Sequence, residues 1–261
     1  MTRQTSLITG ASSGIGKTYA ERLARRGEDL ILVARNKERL EALAAELTAE
    51  TGVSVSVVVA DLTRTDDVKK VADLLLADAS ITTLVNNAGI AGGGPVHAAN
   101  PDQLDTLVDL NIKALTRLSA AAARAFAARG HGRIINIGSV TAFMQEVFEP
   151  TYLATKSYVL SFTQALQVEL KDKGVTVQAV LPGVTRTEIW ERAGHDLADI
   201  PAHMVMEVGD MVDASLAGLD AGEIVTIPSL PDPADFEAYE TARRALQPNL
   251  SHMKPAPRYG L

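Results

Sequence analysis

Residues 9–16 read Thr-Gly-Ala-Ser-Ser-Gly-Ile-Gly and close a short apolar run, Ser6–Thr9. The three glycines let the backbone turn sharply and approach another group closely, because they carry no Cβ. A helical pattern then continues to about Arg26, and its N-terminus presents free N–H groups and a positive dipole end. Strand, glycine loop and helix in this order predict a phosphate-binding unit. A glycine-rich turn without a ligand is the plain alternative.

Strand-like and helical patterns alternate beyond this unit, which indicates repeated βα units on a parallel sheet. The further strands are predicted at Leu30–Ala34, Val53–Ala60, Thr83–Val85, Arg133–Ile137, Val175–Leu181 and Glu223–Ile227. The further helices are predicted at Lys37–Glu50, Pro101–Ala128, Thr151–Asp172 and Glu207–Leu219. We therefore predict an α/β fold with one Rossmann-like, doubly wound parallel sheet and helices on both faces, built as a single domain over 1–261.

Two regions lie outside this alternation. Residues 184–206 show no sustained period, and we predict a helical substrate lid there. Six of the eleven prolines lie from Pro228 onward. Because proline lacks an N–H donor, the tail over about 228–261 is predicted to be an irregular extension, with neither a regular helix nor an inner strand.

Composition excludes several classes of function. The formal charge of −7 disfavours nucleic acid and anionic membranes, which attract cationic surfaces. The chain has no cysteine, so thiolate catalysis and cysteine-ligated metals are excluded. The five histidines lack the spacing of helical metal ligands, and we expect no metal. Because no apolar stretch reaches the roughly 18 residues of a membrane span, we expect a cytoplasmic protein.

Three further motifs follow the glycine loop in order. Asp61 follows the third strand, Asn86-Asn87-Ala88-Gly89 follows the fourth, and Tyr152-Leu153-Ala154-Thr155-Lys156 opens a helix. Together with the T-G-x-x-x-G-x-G spacing of residues 9–16, they resemble the short-chain dehydrogenase/reductase family in its shorter branch. The resemblance covers roughly Ser6–Thr187. It implies an oxidoreductase that moves a hydride between a nicotinamide and a carbonyl or secondary alcohol carbon.

Tyr152 and Lys156 lie four residues apart and share one helix face. A tyrosine titrates at about 10, and a neighbouring ammonium is expected to lower that pKa and make Tyr152 an effective proton donor or acceptor. The resemblance adds Ser139, thirteen residues before Tyr152, as the group that orients the substrate oxygen. It also adds Asn111, which interrupts its helix and holds a water in the proton relay. Lys156 is further implied to bind the nicotinamide ribose.

The choice of dinucleotide is expected to depend on the residues after the second strand, Arg35-Asn36. Arg35 stands where an acidic residue would bind a ribose hydroxyl, and its guanidinium suits a 2′-phosphate. NADP(H) is therefore the expected cofactor. The alternative is a solvated surface arginine, like the charges at Lys37, Glu38 and Arg39 beside it.

The full set of expected cofactor contacts includes the stretch Pro182–Thr187, which resembles the family's carboxamide-binding P-G-x-x-x-T. These contacts are Gly10, Ser12, Ser13, Gly14, Ile15, Gly16, Arg35, Asn36, Asp61, Leu62, Asn87, Ala88, Gly89, Tyr152, Lys156, Pro182, Gly183, Thr185 and Thr187.

Six apolar residues are predicted to line a pocket for an apolar or aryl ketone. They are Phe143, Met144, Phe148, Ile189, Trp190 and Met204. The alternative is that they only pack the lid onto the body of the protein. His97, His195 and His203 are interpreted as polar lid or surface residues.

Two other functions are compatible with such a fold. A sugar-nucleotide epimerase or dehydratase shares the Tyr and Lys chemistry, but the G-x-x-G-x-x-G spacing and the larger C-terminal domain of those chains are missing here. A non-catalytic NADP(H) sensor or scaffold would not need all four residue types at positions 111, 139, 152 and 156. By analogy we expect a homodimer or homotetramer, with its geometry left open by the proline-rich tail.

Overall fold

The sheet contains seven parallel strands in the order β3-β2-β1-β4-β5-β6-β7. The computed structural model describes residues 3–146, 149–192 and 196–260. The strands are β1 Thr5–Thr9, β2 Asp29–Ala34, β3 Val55–Val59, β4 Ile81–Asn86, β5 Gly132–Ile137, β6 Val175–Val180 and β7 Val225–Thr226. The order reverses between β1 and β4, and in such sheets the crevice for ligands opens there, at the carboxyl ends of the strands. The predicted fold class is confirmed.

Helices cover both faces of the sheet. The helices before the C-terminal extension are α1 Gly14–Arg25, α2 Lys37–Thr51, α3 Thr65–Ala77, α4 Pro101–Val108, α5 Leu115–Arg129, α6 Pro150–Leu170, α7 Ile189–Arg192 and α8 Val208–Asp220. The extension contains α9 Pro233–Ala245. Apolar side chains of α1, α2 and α8 pack on one face and those of α3, α5 and α6 on the other. In α2 the buried stripe is Leu40, Leu43 and Leu47, a helical spacing that places all three on the sheet side.

The predicted helix Pro101–Ala128 is interrupted. A single π-helical turn, Asp109–Ala114, separates α4 from α5, and such turns are frequent at functional sites. Asn111 lies in this turn and is buried. The interruption matches the one that the family resemblance implies for this residue.

The lid region contains only short helical pieces in its described residues. These are α7 and the two 3₁₀ turns Leu197–Asp199 and Ala202–Met204. The far end of the region pairs with its start, since Arg186 N donates to Met206 O at 3.0 Å and Met206 N donates to Val184 O at 2.9 Å. Among the helices of the described residues, none has both the length and the apolar character needed to cross a membrane.

The chain divides into two compact units, Met1–Pro228 and Ser229–Leu261. The boundary coincides with the predicted start of the C-terminal extension, and a single domain over 1–261 stays a prediction. The extension is not irregular throughout, because it contains the 13-residue helix α9. Pro233 occupies the first helical turn, where no N–H bond is lost, and the Asp232 side chain caps the helix by accepting from Ala234 N. The expectation that prolines exclude a regular helix from this region is wrong for this reason.

Candidate active site

A cleft of about 1100 Å³ opens at the carboxyl ends of the strands. Its walls come from the glycine loop, the start of α2, the residues after β3 and β4, and the start of the lid. Thirteen of the residues expected to contact a cofactor line it: Gly10, Ser12, Ser13, Gly14, Ile15, Arg35, Asn36, Asp61, Leu62, Asn87, Ala88, Gly89 and Thr187. The lining does not include the other six expected contacts, Gly16, Tyr152, Lys156, Pro182, Gly183 and Thr185.

The glycine loop is held against β4 by Asn87. The Asn87 side-chain amide donates to Thr9 O at 2.9 Å and to Gly10 O at 3.2 Å. A Cβ on Gly16 would lie 2.3 Å from Gly10 O and 2.5 Å from Asn87 Nδ2, a separation that no side chain tolerates. Gly10 has φ of +65°, a backbone conformation that favours glycine. Gly16 and Asn87 therefore fix the conformation of the glycine loop by packing against Gly10.

The N-terminus of α1 faces this cleft without a side-chain cap. Ser13 occupies the N-cap position but makes no capping hydrogen bond, and the first turn contains no acidic residue. Free N–H groups at the start of a helix bind anions such as a diphosphate, and the glycines in front of them allow close approach. The residues present therefore fit a dinucleotide in this cleft.

Arg35 lines the cleft next to Asp61 and is exposed to solvent. Within the described part of the chain, no hydrogen bond or ion pair holds its guanidinium. Partial burial raises the pKa of Asp61, but hydrogen bonds from Thr63 and the charges of Arg35 and Arg64 outweigh it and hold that pKa below its ordinary value. Asn36 caps α2, since its Oδ1 accepts from Arg39 N at 2.8 Å.

Several residues of the cleft were not predicted from the sequence. Beside the expected contacts, the cleft is lined by Val33, Ala34, Glu38, Arg39, Ala60, Thr63, Ile90, Ala91, Gly92, Gly93, Gln103, Thr106, Leu107, Leu110 and Glu188. Arg39 was interpreted as a helix-surface charge, yet it lines the cleft and pairs with Glu188 of the lid. The sequence could have indicated this role of Arg39, because it lies in the first turn of α2 and only four residues after Arg35. The glycine run at 92–94 could likewise have indicated that the segment after β4 forms a wall of the cleft.

Ser139 is buried at the end of β5, and its hydroxyl acts on the pKa of Tyr152. The Ser139 hydroxyl also accepts from Thr141 N at 3.2 Å, which fixes it at the carboxyl end of β5. Burial raises the pKa of Tyr152 to about 12, and the hydrogen bond with Ser139 opposes this rise. Tyr152 is therefore a neutral phenol at physiological pH.

Lys156 is buried below Tyr152 on α6. Its Nζ donates to Ile137 O at 3.1 Å and lies 5.7 Å from the centre of the Tyr152 ring. Burial lowers the pKa of Lys156 to about 8. The sequence led us to expect that this ammonium would lower the pKa of Tyr152. In the structure the pKa of the phenol is raised instead, because exclusion of water penalises the phenolate.

Asn111 clamps the segment that follows β4. Its Oδ1 accepts from Ile90 N at 3.0 Å, while its Nδ2 donates to Ile90 O at 2.9 Å and to Thr155 Oγ1 at 3.1 Å. A Cβ on Gly89 would lie 3.2 Å from Asn111 Oδ1 and 3.7 Å from Lys156 Nζ. Gly89 also lines the cleft, so the four residues 111, 139, 152 and 156 gather at its inner end. The Asn111 side chain acts there as a brace between β4, the π turn and α6.

The stretch after β6 closes the same end of the cleft. Pro182 O accepts from Val140 N at 3.0 Å, which ties it to the Ser139 loop. Thr185 is buried, and its hydroxyl donates to Gly183 O at 3.2 Å. The Thr187 methyl carbon lies 3.2 Å from the position of a Cβ on Gly14. The expected carboxamide segment therefore lies directly against the glycine loop.

The expected substrate residues that the structure describes lie in different surroundings. Ile189 lines the cleft, whereas Phe143 packs with buried residues of the small cluster that contains Leu181. Trp190 Nε1 donates to Thr185 O at 2.9 Å, and Met204 is 55% exposed. The remaining placements are as follows: Met144 is half-buried, His97 and His203 are exposed, and Phe148 and His195 lie outside the described residues.

The family assignment follows from comparison of the whole chain with known proteins. A family model described as short chain dehydrogenase matches residues 4–198. The chain belongs to the short-chain dehydrogenase family. The resemblance inferred from the motifs is thereby confirmed.

Solved structures share both the fold and much of the sequence of this short-chain dehydrogenase. A short-chain dehydrogenase from Sphingobium yanoikuyae, in complex with NADPH, is 51% identical with a TM-score of 0.95, covering 98% of this chain and 100% of that one. A bulky-bulky ketone specific alcohol dehydrogenase from Comamonas testosteroni is 45% identical with a TM-score of 0.92, covering 99% of each chain. Human 17-beta-hydroxysteroid dehydrogenase type 3 is 37% identical over 186 residues, which are 70% of this chain and 60% of that relative's length.

Proposed function

We propose that this protein is an NADP(H)-dependent oxidoreductase that interconverts a ketone and a secondary alcohol. The observation that carries the proposal is buried Lys156, whose Nζ lies 5.7 Å from the centre of the Tyr152 ring, at the inner end of a cleft with an uncapped helix N-terminus. Arg35 on the rim supports NADP(H), because its exposed guanidinium suits a phosphate. The NADPH bound in the Sphingobium protein supports the same choice.

The chain's own residues supply the proton chemistry. When bound, the nicotinamide would donate or accept the hydride. Tyr152 holds its proton because its pKa is raised to about 12, so in reduction it donates that proton to the substrate oxygen. The Ser139 hydroxyl donates to Pro182 O over a long 3.5 Å, and this proton would turn to the same substrate oxygen when a ketone is bound. Lys156 places a cation beside the phenol and stabilises the phenolate that remains.

The proposed substrate is an apolar or aryl ketone with bulky groups. Ala91, Gly92 and Gly93 line the wall after β4 and contribute little or no side chain, which leaves space for a large group. Leu107 and Leu110 add apolar surface to that wall. The ketone class named for the Comamonas protein supports this substrate type.

The Tyr152→Phe variant tests the chemistry. It keeps the ring and removes the proton, so turnover of a ketone panel with NADPH should fall at least about a hundredfold. The NADPH dissociation constant, followed by cofactor fluorescence, should stay within about twofold of wild type. Turnover close to wild type would remove Tyr152 from this role. A wild-type protein that binds NADPH but reduces no carbonyl would favour the non-catalytic sensor instead.

The Arg35→Asp variant tests the cofactor. Loss of a charge-assisted contact with the 2′-phosphate should raise the NADPH Michaelis constant about ten- to a hundredfold, while NADH use holds steady or improves. The neighbouring Lys37→Asp variant is a matched control, because Lys37 is exposed but does not line the cleft. An unchanged NADPH-to-NADH ratio in Arg35→Asp, or a wild-type protein that prefers NADH, would contradict the assignment.

A further inference from the structure

An ion pair spans the rim of the dinucleotide cleft. Arg39 stands in the first turn of α2, and Glu188 follows Thr187 at the start of the lid. One guanidinium nitrogen of Arg39 lies 3.1 Å and 3.3 Å from the two carboxylate oxygens of Glu188. Both residues line the cleft, so the pair joins its two walls. The residues are 149 positions apart in the chain.

The pair contributes little to the stability of the fold. The two side chains are 50% and 44% exposed, and exposed ion pairs are weak. Its position matters more than its strength. A molecule that reaches from Arg35 to Thr187 would lie in the cleft whose rim this pair bridges, so its departure would require the pair to open.

We propose that Arg39 and Glu188 form a clasp that slows the release of the bound dinucleotide. The proposal rests on the proposed function, since it requires NADP(H) in this cleft. It assigns Arg39 and Glu188 as positioning residues for the lid, acting on cofactor residence and not on the hydride or proton transfer.

A clasp and a simple charge effect predict opposite results for Glu188. As an isolated negative charge near phosphates, Glu188 would repel the cofactor, and Glu188→Gln would slow its release. As half of a clasp, its removal frees the lid, and Glu188→Gln should speed release about two- to fivefold, the range of an exposed ion pair. Arg39→Gln speeds release in either case. The sign of the Glu188→Gln effect therefore decides between the two.

The experiment measures NADPH release from the full-length protein by stopped-flow fluorescence, with excess NADP as the displacing ligand. We expect faster release from Arg39→Gln and from Glu188→Gln. The double variant should release NADPH no faster than the faster single variant, because both changes break the same contact. At high salt the difference between wild type and Glu188→Gln should shrink, since exposed pairs are screened.

A matched control comes from Arg25 and Glu50, which form an exposed pair at 2.9 Å and do not line the cleft. Glu50→Gln should leave the release rate unchanged. Slower or unchanged release from Glu188→Gln overturns the clasp, and so does an equal acceleration by Glu50→Gln. If wild-type protein binds no NADPH, the proposed function itself fails, which is a distinct result.

Discussion

Burial shifts the pKa values of Tyr152 and Lys156 in opposite directions. Exclusion of water penalises the charged form of each group, so the pKa of Tyr152 rises to about 12 while that of Lys156 falls to about 8. The phenol therefore keeps its proton throughout the usual pH range. The cation beneath it is the group that titrates near physiological pH.

This difference predicts the pH dependence of ketone reduction. As the pH rises through about 8, Lys156 loses its proton, and the phenolate left by proton transfer loses its stabilising charge. We expect kcat/KM for reduction, measured from pH 6 to 10, to fall on the alkaline side with a midpoint near this value. A flat profile to pH 10 would show that the Lys156 charge does not control the reaction.

The same group is linked to stability, which supplies a control. Between its folded pKa of about 8 and its ordinary value of 10.5, the folded chain binds fewer protons at Lys156 than the unfolded chain. The contribution of Lys156 to the free energy of unfolding therefore rises with pH across this range. Lys156→Met should remove that slope and abolish turnover without lowering the melting temperature at pH 7.

At the scale of elements, the glycine loop and α1 form a unit that tolerates no added atom at Gly16. A Cβ there would meet a backbone carbonyl oxygen at 2.3 Å, and backbone cannot move aside as the end of a side chain can. We expect Gly16→Ala to displace the loop and weaken NADPH binding at least about tenfold, or about 1.4 kcal/mol. Isothermal titration calorimetry measures this directly.

Gly209→Ala is the matched control for that variant. Gly209 lies in α8, where an added Cβ would meet only the end of the Arg22 side chain, at 3.1 Å. Alanine is favoured over glycine in a helix by up to about 1 kcal/mol, so this variant should keep NADPH affinity and hold or raise the melting temperature. Equal binding of NADPH by both variants would contradict the loop's role.

At the scale of the whole molecule, the site lies at the carboxyl ends of the strands, and an ion pair with a buried carboxylate lies at their amino ends. Glu28, just before β2, is buried and pairs with Arg133 of β5 at 2.7 Å. Ser6 of β1 donates to the same carboxylate, and Arg133 Nε donates to Thr83 of β4 at 2.9 Å. This cluster ties four central strands together at their amino ends, away from the cleft.

The Glu28→Ala variant tests this division. Breaking a buried pair leaves Arg133 without its carboxylate, which costs about 3 kcal/mol, equivalent to roughly 6–12 °C in melting temperature for a chain of this size. Arg25→Ala, which breaks an exposed pair, should lower the melting temperature far less. Both variants should keep the wild-type kcat at 25 °C. A loss of kcat in Glu28→Ala would show that the ion-pair cluster at the amino ends of the strands affects the site at their carboxyl ends.

Local patterns predicted most of the fold. The strand runs, the apolar stripe of α2 and the glycine loop depend on residues close together in the chain, and all three are present in the structure. The sequence patterns did not predict α3, and the number of prolines led us to expect no helix where α9 lies. Pro233 stands in the first turn, where a helix accepts it. The homodimer or homotetramer and the cytoplasmic location stay predictions.

The sequence by itself indicated the family, the motif residues and most of the elements in their order, because residue type and spacing are properties of the chain alone. Only the tertiary structure decided how those residues are used. It placed Asn111 as a brace for Ile90, joined Arg39 to Glu188, and reversed the expected shift in the pKa of Tyr152. The physical reason is that burial and through-space contacts depend on distances between residues far apart in the chain, which no local pattern contains.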